Sequence, residues 1–301
     1  MNIASQSRFA LAKNLAPIYA SNPRVAAVLV GGSTARGHAD RFSDIELGVF
    51  WHHPPTDADR EIAARQIQAD FVRLHPYDPT EEVWCDNYLL GRHADQPKTG
   101  LLVEVVHYTT DFLSRTFHDV LELHNPDLAK QNLIAGVLSS IPLYQIETVE
   151  EWKSRASPYP DPLAVAMIKR HAQIDHFWRW QMWIERSNNL MQLYQSYTQV
   201  QQQLLHVLLG VNRVYYFGFK WLDVVVKQLE HRPDDLLRRL RQVYEVAPAE
   251  GAQELSALVE ETYIIIAQQF PQVDVKWLRN VFYHQRSLWN EAPTWFKESM
   301  L

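Results

Sequence analysis

The sequence predicts an α+β chain, with a small mixed-sheet domain over residues 1–156 and an all-α helical bundle over residues 157–301. Three observations carry this reading. Short β-branched runs alternate with helical periodicities as far as residue 156, which argues an α/β or α+β layer arrangement. The stretch Ser157-Pro158-Tyr159-Pro160-Asp161-Pro162 is stiff, extended and hostile to helix continuation, so it marks the boundary. Beyond it the apolar spacing stays helical, as in a bundle, with no convincing strand. At 301 residues the chain has room for two cores and buries about 75% of its unfolded surface.

Taken in order, Ala4 to Ala20 reads as a helix with Leu11, Leu15 and Ile18 on one stripe, ended by Asn22-Pro23. A strand, Val25 to Val30, runs into Gly31-Gly32-Ser33. A second apolar run opens on Asp44-Ile45-Glu46-Leu47 and ends at Phe50. WHHPPT is a loop, because paired prolines cannot donate to a ladder. Adjacent histidines on an extended segment point to opposite sides, so His52, His53 and the nearby His75 read as solvated residues rather than metal ligands. Thr56 and Asp59 form a capping pair for a helix predicted to reach Leu74, with Ala63, Ile67, Phe71 and Leu74 inward. Glu82 to Leu90 and Gly100 to Thr109 read as strands around RHADQPK. Thr110 caps a helix with Leu113, Phe117, Val120 and Leu121 inward. Asn125-Pro126 begins another to Ser139, Ile141 to Tyr144 is a short strand, and Thr148 with Glu151 opens a short helix.

In the second half Asp161-Pro162 starts a helix predicted to run unbroken to about Arg186, where Asn188-Asn189 breaks it. On it His171 and Asp175, four apart, share a face, either as a surface hydrogen-bonded pair or as part of an acceptor pocket. Another helix follows to about Leu209. Further helices are expected near Lys220 to Leu229, Asp234 to Val246, Ala252 to Gln268 and Val273 to Tyr283.

The net charge is −6 and the sequence contains no block of Lys and Arg, which disfavours a long nucleic-acid track. A single cysteine, Cys85, excludes an intramolecular disulfide and a Cys-rich zinc site. The first residues lack a charged-then-apolar signal pattern and no run reaches the roughly 18 apolar residues of a membrane span, so the expected compartment is cytoplasmic.

The chemistry concentrates in Val28 to Phe50, VLVGGSTARGHADRFSDIELGVF. A strand that empties into Gly-Gly and then a short helix aims backbone N–H groups at one point, which suits phosphate. On the next strand Asp44 and Glu46 share one face about 6.6 Å apart. At that separation two carboxylates repel by roughly 2.5 kcal/mol at an effective dielectric of about 20, a cost that a bridging divalent cation reverses. The residues therefore read as a phosphate cradle beside a metal-binding pair. In Leu101-Leu102-Val103-Glu104-Val105-Val106 a single carboxylate sits inside an apolar run, where it must be paired, neutralised or bound to a cation.

GGSTARGHADRFSDIELGVF resembles the nucleotidyltransferase superfamily that includes DNA polymerase beta, whose signature is G-[GS] followed by [DE]-x-[DE] on the next strand. It looks most like the small-molecule branch, the aminoglycoside and lincosamide nucleotidyltransferases. The resemblance implies a nucleotidyltransferase domain joined to a helical domain. It also implies Mg2+ held by Asp44, Glu46 and a third carboxylate, Glu104, on a later strand. A nucleoside monophosphate, AMP from ATP, would then move to a hydroxyl of a small molecule such as an aminoglycoside-like or lincosamide-like antibiotic. Gly32, Ser33, Arg36 and Ser43 would bind the phosphates, and Glu104 would complete the metal shell or take the acceptor's proton. More loosely, VNRVYYFGFKWL is similar to a Tyr-rich turn and helix start of the helical domain in bacterial relatives, which would bring Tyr216 beside the nucleotide and Lys220 to the triphosphate. By the same likeness a helical-domain carboxylate serves as general base, with Asp175 and Glu185 as candidates that match no motif. Dimers sharing a cleft occur among relatives, so a homodimer is an assembly the likeness allows, though no stretch of this sequence shows one. Transfer to a protein or nucleic-acid end, and nucleotide binding without turnover, are the competing readings.

Overall fold

The computed structural model describes residues 1–91, 99–186 and 190–286, so RHADQPK and Asn188-Asn189 lie outside the described residues. The chain divides into two compact units, Met1–Leu163 with Tyr215–Gly218, and Ala164–Val214 with Phe219–Leu301. The fold is α+β, a six-stranded mixed sheet with helices in the first unit and helices in the second.

The strands are β1 (Val25–Val30), β2 (Ile45–Trp51), β3 (Phe71–Leu74), β4 (Trp84–Leu90), β5 (Leu101–Thr109) and β6 (Ile141–Tyr144), in the order β3-β4-β5-β2-β1-β6. Among the described residues only β2 and β5 pair in parallel. One sheet face is covered by α1 (Ile3–Ala20) and α3 (Asp57–Ile67), with Ala12, Leu15 and Tyr19 packed on Val28, Ile45, Leu47 and Val105. On the opposite face Ala27, Leu29 and Phe50 meet Leu113 and Phe117 of α4 (Thr110–Phe117), Ile134 of α5 (Leu128–Ser139) and Val149 of α6 (Ile146–Ala156). Because both faces over β1 are covered, VAAVLV is buried throughout instead of alternating.

The second unit contains α7 (Asp161–His171, its first turn in the first unit), α8 (Trp178–Glu185), α9 (Leu190–Val211), α10 (Leu222–Lys227), α11 (Leu236–Glu245), α12 (Pro248–Gln269) and α13 (Val275–Phe282), with no strand among the described residues. Gly210 of α9 lets α7 approach closely, since a Cβ there would lie 2.8 Å from Met167. Among the described residues no helix is long and apolar enough to cross a membrane.

Two expected helices are corrected. The Thr56–Asp59 capping box forms, but the helix stops at Ile67. Gln68 turns left-handed at φ 53° and Phe71–Leu74 pairs with β4 as an edge strand, leaving Phe71 exposed. The predicted unbroken helix 161–186 is two helices. Between them the His176 ring bonds the Val281 carbonyl at 2.5 Å and Phe177 N–H donates to Phe282 O at 2.9 Å, so tertiary partners replace helical ones. His171 and Asp175 therefore share no helix face, and Asp175 pairs with Arg179 instead. Smaller shifts are a cap at Asp127 rather than Asn125, and a π-helical turn, His118–Glu122, prolonging α4.

Candidate active site

The turn after β1 is built around glycine. Gly31 N–H donates to Glu46 O at 2.9 Å, and Gly32 has φ +59°, a conformation that side chains resist. A Cβ on Gly32 would lie 2.4 Å from the Glu46 carboxyl carbon, so the carboxylate rests against this turn. The short helix α2 (Gly32–Arg36) follows, with Ser33 and Thr34 buried in it, and ends at the left-handed Gly37. Arg36 stands in its last turn with the guanidinium 5.9 Å from the Phe217 ring centroid. Burial lowers the Arg36 pKa from arginine's ordinary value, and the Glu46 charge opposes that shift.

The parallel register sets Glu46 directly opposite Glu104, so the two carboxylates are neighbours on one sheet face. Asp44 stands one residue before the ladder and is partly exposed. Its predecessor Ser43 is buried, and its hydroxyl both donates to Asp40 Oδ1 and accepts from Asp40 N–H at 3.0 Å. Arg8 Nε donates to Ser43 O at 2.9 Å, so Ser43 acts within the loop that presents Asp44. Among the described residues no group of three or more His, Cys, Asp or Glu is gathered into a ready metal site.

Tyr108 lies in the register pair next to Phe50, stacked with ring centroids 5.1 Å apart. Burial raises its pKa, and the Glu104 charge raises it further. Cys85, on the same face of β4, is pushed up to about 12 by burial and then by Glu104. Glu104 is flanked on its other side by Asn87, whose amide nitrogen is 3.2 Å from His75 Nε2. His75 is thus tied into the sheet, whereas His52 and His53 are exposed.

Tyr216 belongs to the first unit, where its N–H donates to Gln131 Oε1 at 3.5 Å, and its neighbour Tyr215 is a packing residue that donates to Ala156 O at 3.1 Å. Lys220 is an exposed residue of the second unit. Sequence reasoning missed Phe217 as the cover of Arg36, Asp40 as the partner of Ser43, and a buried polar group on the rear of the sheet. There Arg60 Nη1 and His107 Nε2 both reach Asp86, at 2.7 and 2.8 Å, while Trp51 Nε1–H donates to His107 Nδ1 at 3.1 Å. The one available signal was Asp86 at an inward position of an alternating strand, two residues before the buried Tyr88.

A family model described as a domain of unknown function (DUF4037) matches residues 127–222. No curated protein matches the chain. Among solved structures the chain is similar to a nucleotidyltransferase-like protein from Exiguobacterium sibiricum, at 13% identity and a TM-score of 0.31, with 87% of this chain and 79% of that one covered.

Proposed function

We propose that the protein is a Mg2+-dependent nucleotidyltransferase that moves AMP from ATP to a hydroxyl of a small molecule and releases pyrophosphate. One observation carries the reading: Glu46 and Glu104 stand side by side on parallel strands, with the Glu46 carboxylate against the Gly31-Gly32 turn. The donor set fits magnesium, which takes hard oxygen ligands and is held by one or two carboxylates together with substrate phosphates rather than by an all-protein cage. Glu46 and Glu104 would hold it, with Asp44, one residue before the ladder, as the third ligand of the reading. When bound it supplies charge neutralisation at the α-phosphoryl oxygens.

The chain's own residues do the rest by positioning and electrostatics. The Gly32 and Ser33 N–H groups hold the outer phosphates, and Arg36, set beside the Phe217 ring, adds a charge-assisted donor. Ser43 keeps the Asp44 loop in place. Tyr216 borders the nucleotide. Glu104 accepts the acceptor's proton as its hydroxyl oxygen bonds to the α-phosphorus and the bond to the β-phosphate oxygen breaks, pyrophosphate leaving with that electron pair. The resemblance places aminoglycoside-like and lincosamide-like antibiotics among the acceptors to test.

The test is incubation with α-labelled ATP, Mg2+ and a panel of hydroxyl compounds, proteins and oligonucleotides. Pyrophosphate release together with a labelled small molecule is the expected result. Tight ATP binding without pyrophosphate release from any acceptor would replace transfer by a regulatory nucleotide-binding role. Asp44→Ala should abolish transfer and leave the circular dichroism of the fold unchanged, because the residue is partly exposed and fills no core volume.

A further inference from the structure

The sheet face that carries Glu46 and Glu104 is not covered evenly. Along β4 and β5 the rear residues Asp86, Tyr88, Val103, Val105 and His107 are buried, whereas the front positions between them are half-buried or exposed. The registers organise that open front into two rows across three strands. One row is polar: Arg73, Asn87 and Glu104, continuing to Glu46 on β2. The other is apolar: Phe71, Leu89 and Leu102, with Phe71 49% and Leu102 38% exposed. Arg73 is exposed and makes no ion pair among the described residues.

From this geometry we infer that the open face of β3, β4 and β5 is the acceptor subsite, and that it selects a hydroxyl compound bearing an anionic group, a carboxylate or a phosphate. The inference rests on the transfer reading above and adds the acceptor's charge class. The acceptor hydroxyl lies at Glu104, the Asn87 amide bonds the next polar group, and Arg73 receives the anion. Arg73 stands two strand spacings from Glu104, about 9.5 Å, less the reach of the guanidinium. Phe71, Leu89 and Leu102 support the acceptor's carbon edge. Charge complementarity decides the class, because an ammonium-rich acceptor laid along this row would meet Arg73, whereas a carboxylate or phosphate gains a charge-assisted and often bidentate pair. The transfer step is unchanged: the hydroxyl oxygen bonds to the α-phosphorus of ATP, the proton goes to Glu104, and pyrophosphate leaves.

The full-length protein is assayed with ATP, Mg2+ and glucose, gluconate, glucose 6-phosphate, glucosamine or kanamycin. The expected result is a higher kcat/KM for gluconate or glucose 6-phosphate than for glucose, with the two anions separating carboxylate from phosphate preference. In Arg73→Gln the anionic-to-neutral ratio should fall by about tenfold to a hundredfold, the value of one charged hydrogen-bonded pair. A preference for kanamycin or glucosamine, or an unchanged ratio in Arg73→Gln, overturns the inference and leaves Arg73 as a charge guarding an edge strand. In parallel, NMR shifts of the Asn87 side-chain amide and the Arg73 Nε–H are followed as each anion is titrated. Saturable shifts that vanish in Arg73→Gln, without transfer to any compound, would support the anion subsite and remove the transfer reading. Absence of both shifts and transfer overturns the subsite.

Discussion

At the scale of single residues the site depends on close approach. Gly32→Ala puts a methyl group where the Glu46 carboxylate lies and asks an alanine to hold φ +59°. The backbone cost alone is about 1–2 kcal/mol, and moving Glu46 by an ångström should lower transfer about 100-fold. Gly91→Ala is the control. It also has positive φ, +69°, but a Cβ there meets nothing within 4 Å, so urea unfolding should show the backbone cost without loss of transfer. A Gly32→Ala protein with wild-type kcat would separate Glu46 from the chemistry. The residues in this argument differ in how visible they were. Gly31, Gly32, Asp44 and Glu46 stand out because a Gly-Gly turn and an acidic strand opening are local signals. Asp40 as the partner of Ser43, and Phe217 over Arg36, are tertiary facts and carry no comparable spacing.

At the scale of elements, the α3–β4–β5 arrangement contains a buried charge group that invites measurement. Asp86 is fully buried and held by Arg60, His107 and, more weakly, the Tyr88 hydroxyl at 3.5 Å. Since Trp51 donates to His107 Nδ1, the neutral ring carries its proton on Nε2 and donates it to Asp86. Asp86→Ala removes the buried partner of the 3%-exposed Arg60 and leaves it only the exposed Asp57 carboxylate at 3.0 Å, and should cost about 3–5 kcal/mol in urea unfolding. The Arg60→Met/Asp86→Leu double variant should recover a large part of that loss, and strict additivity of the two single costs would mean the ions do not act as a pair. The same region shows where sequence patterns end. Strands β1 and β2, the Thr56–Asp59 cap and the fold class were legible, because glycine, capping chemistry and β-branched runs act locally. The stop at Ile67 was not, since Ala63, Ile67, Phe71 and Leu74 fit a helical stripe equally well and only pairing with β4 decides for a strand. Nor was the parallel register that makes Glu46 and Glu104 neighbours, or the rows that include Asn87 and Arg73, because registers are set by the whole sheet.

At the scale of the whole molecule, four residues from the later half, Tyr215–Gly218, belong to the first unit, where the Tyr215 ring packs at a tilt against Tyr159 and its hydroxyl donates to Ala156 O. The Pro-rich stretch 157–162 can be read from sequence, while such a return depends on contacts between distant positions. The second unit has its own sensitivity to acid. His171 at the end of α7 and His206 in α9 have ring centroids 4.6 Å apart. Burial lowers each to about 4, helped by Arg170 at His171 and by His171 at His206. In the unfolded chain both titrate near about 6.5. Between that value and 4 the unfolded state binds more protons than the folded one, so stability is full above about pH 6.5 and declines as pH falls toward 4. Hydrogen exchange of α9 amides, corrected for the intrinsic pH dependence of exchange, should therefore show a falling opening free energy from pH 7 to pH 5. In His206→Leu the slope should flatten, because one of the two protons taken up on opening is lost. A slope that this substitution leaves unchanged would separate the acid sensitivity of the helical unit from the histidine pair.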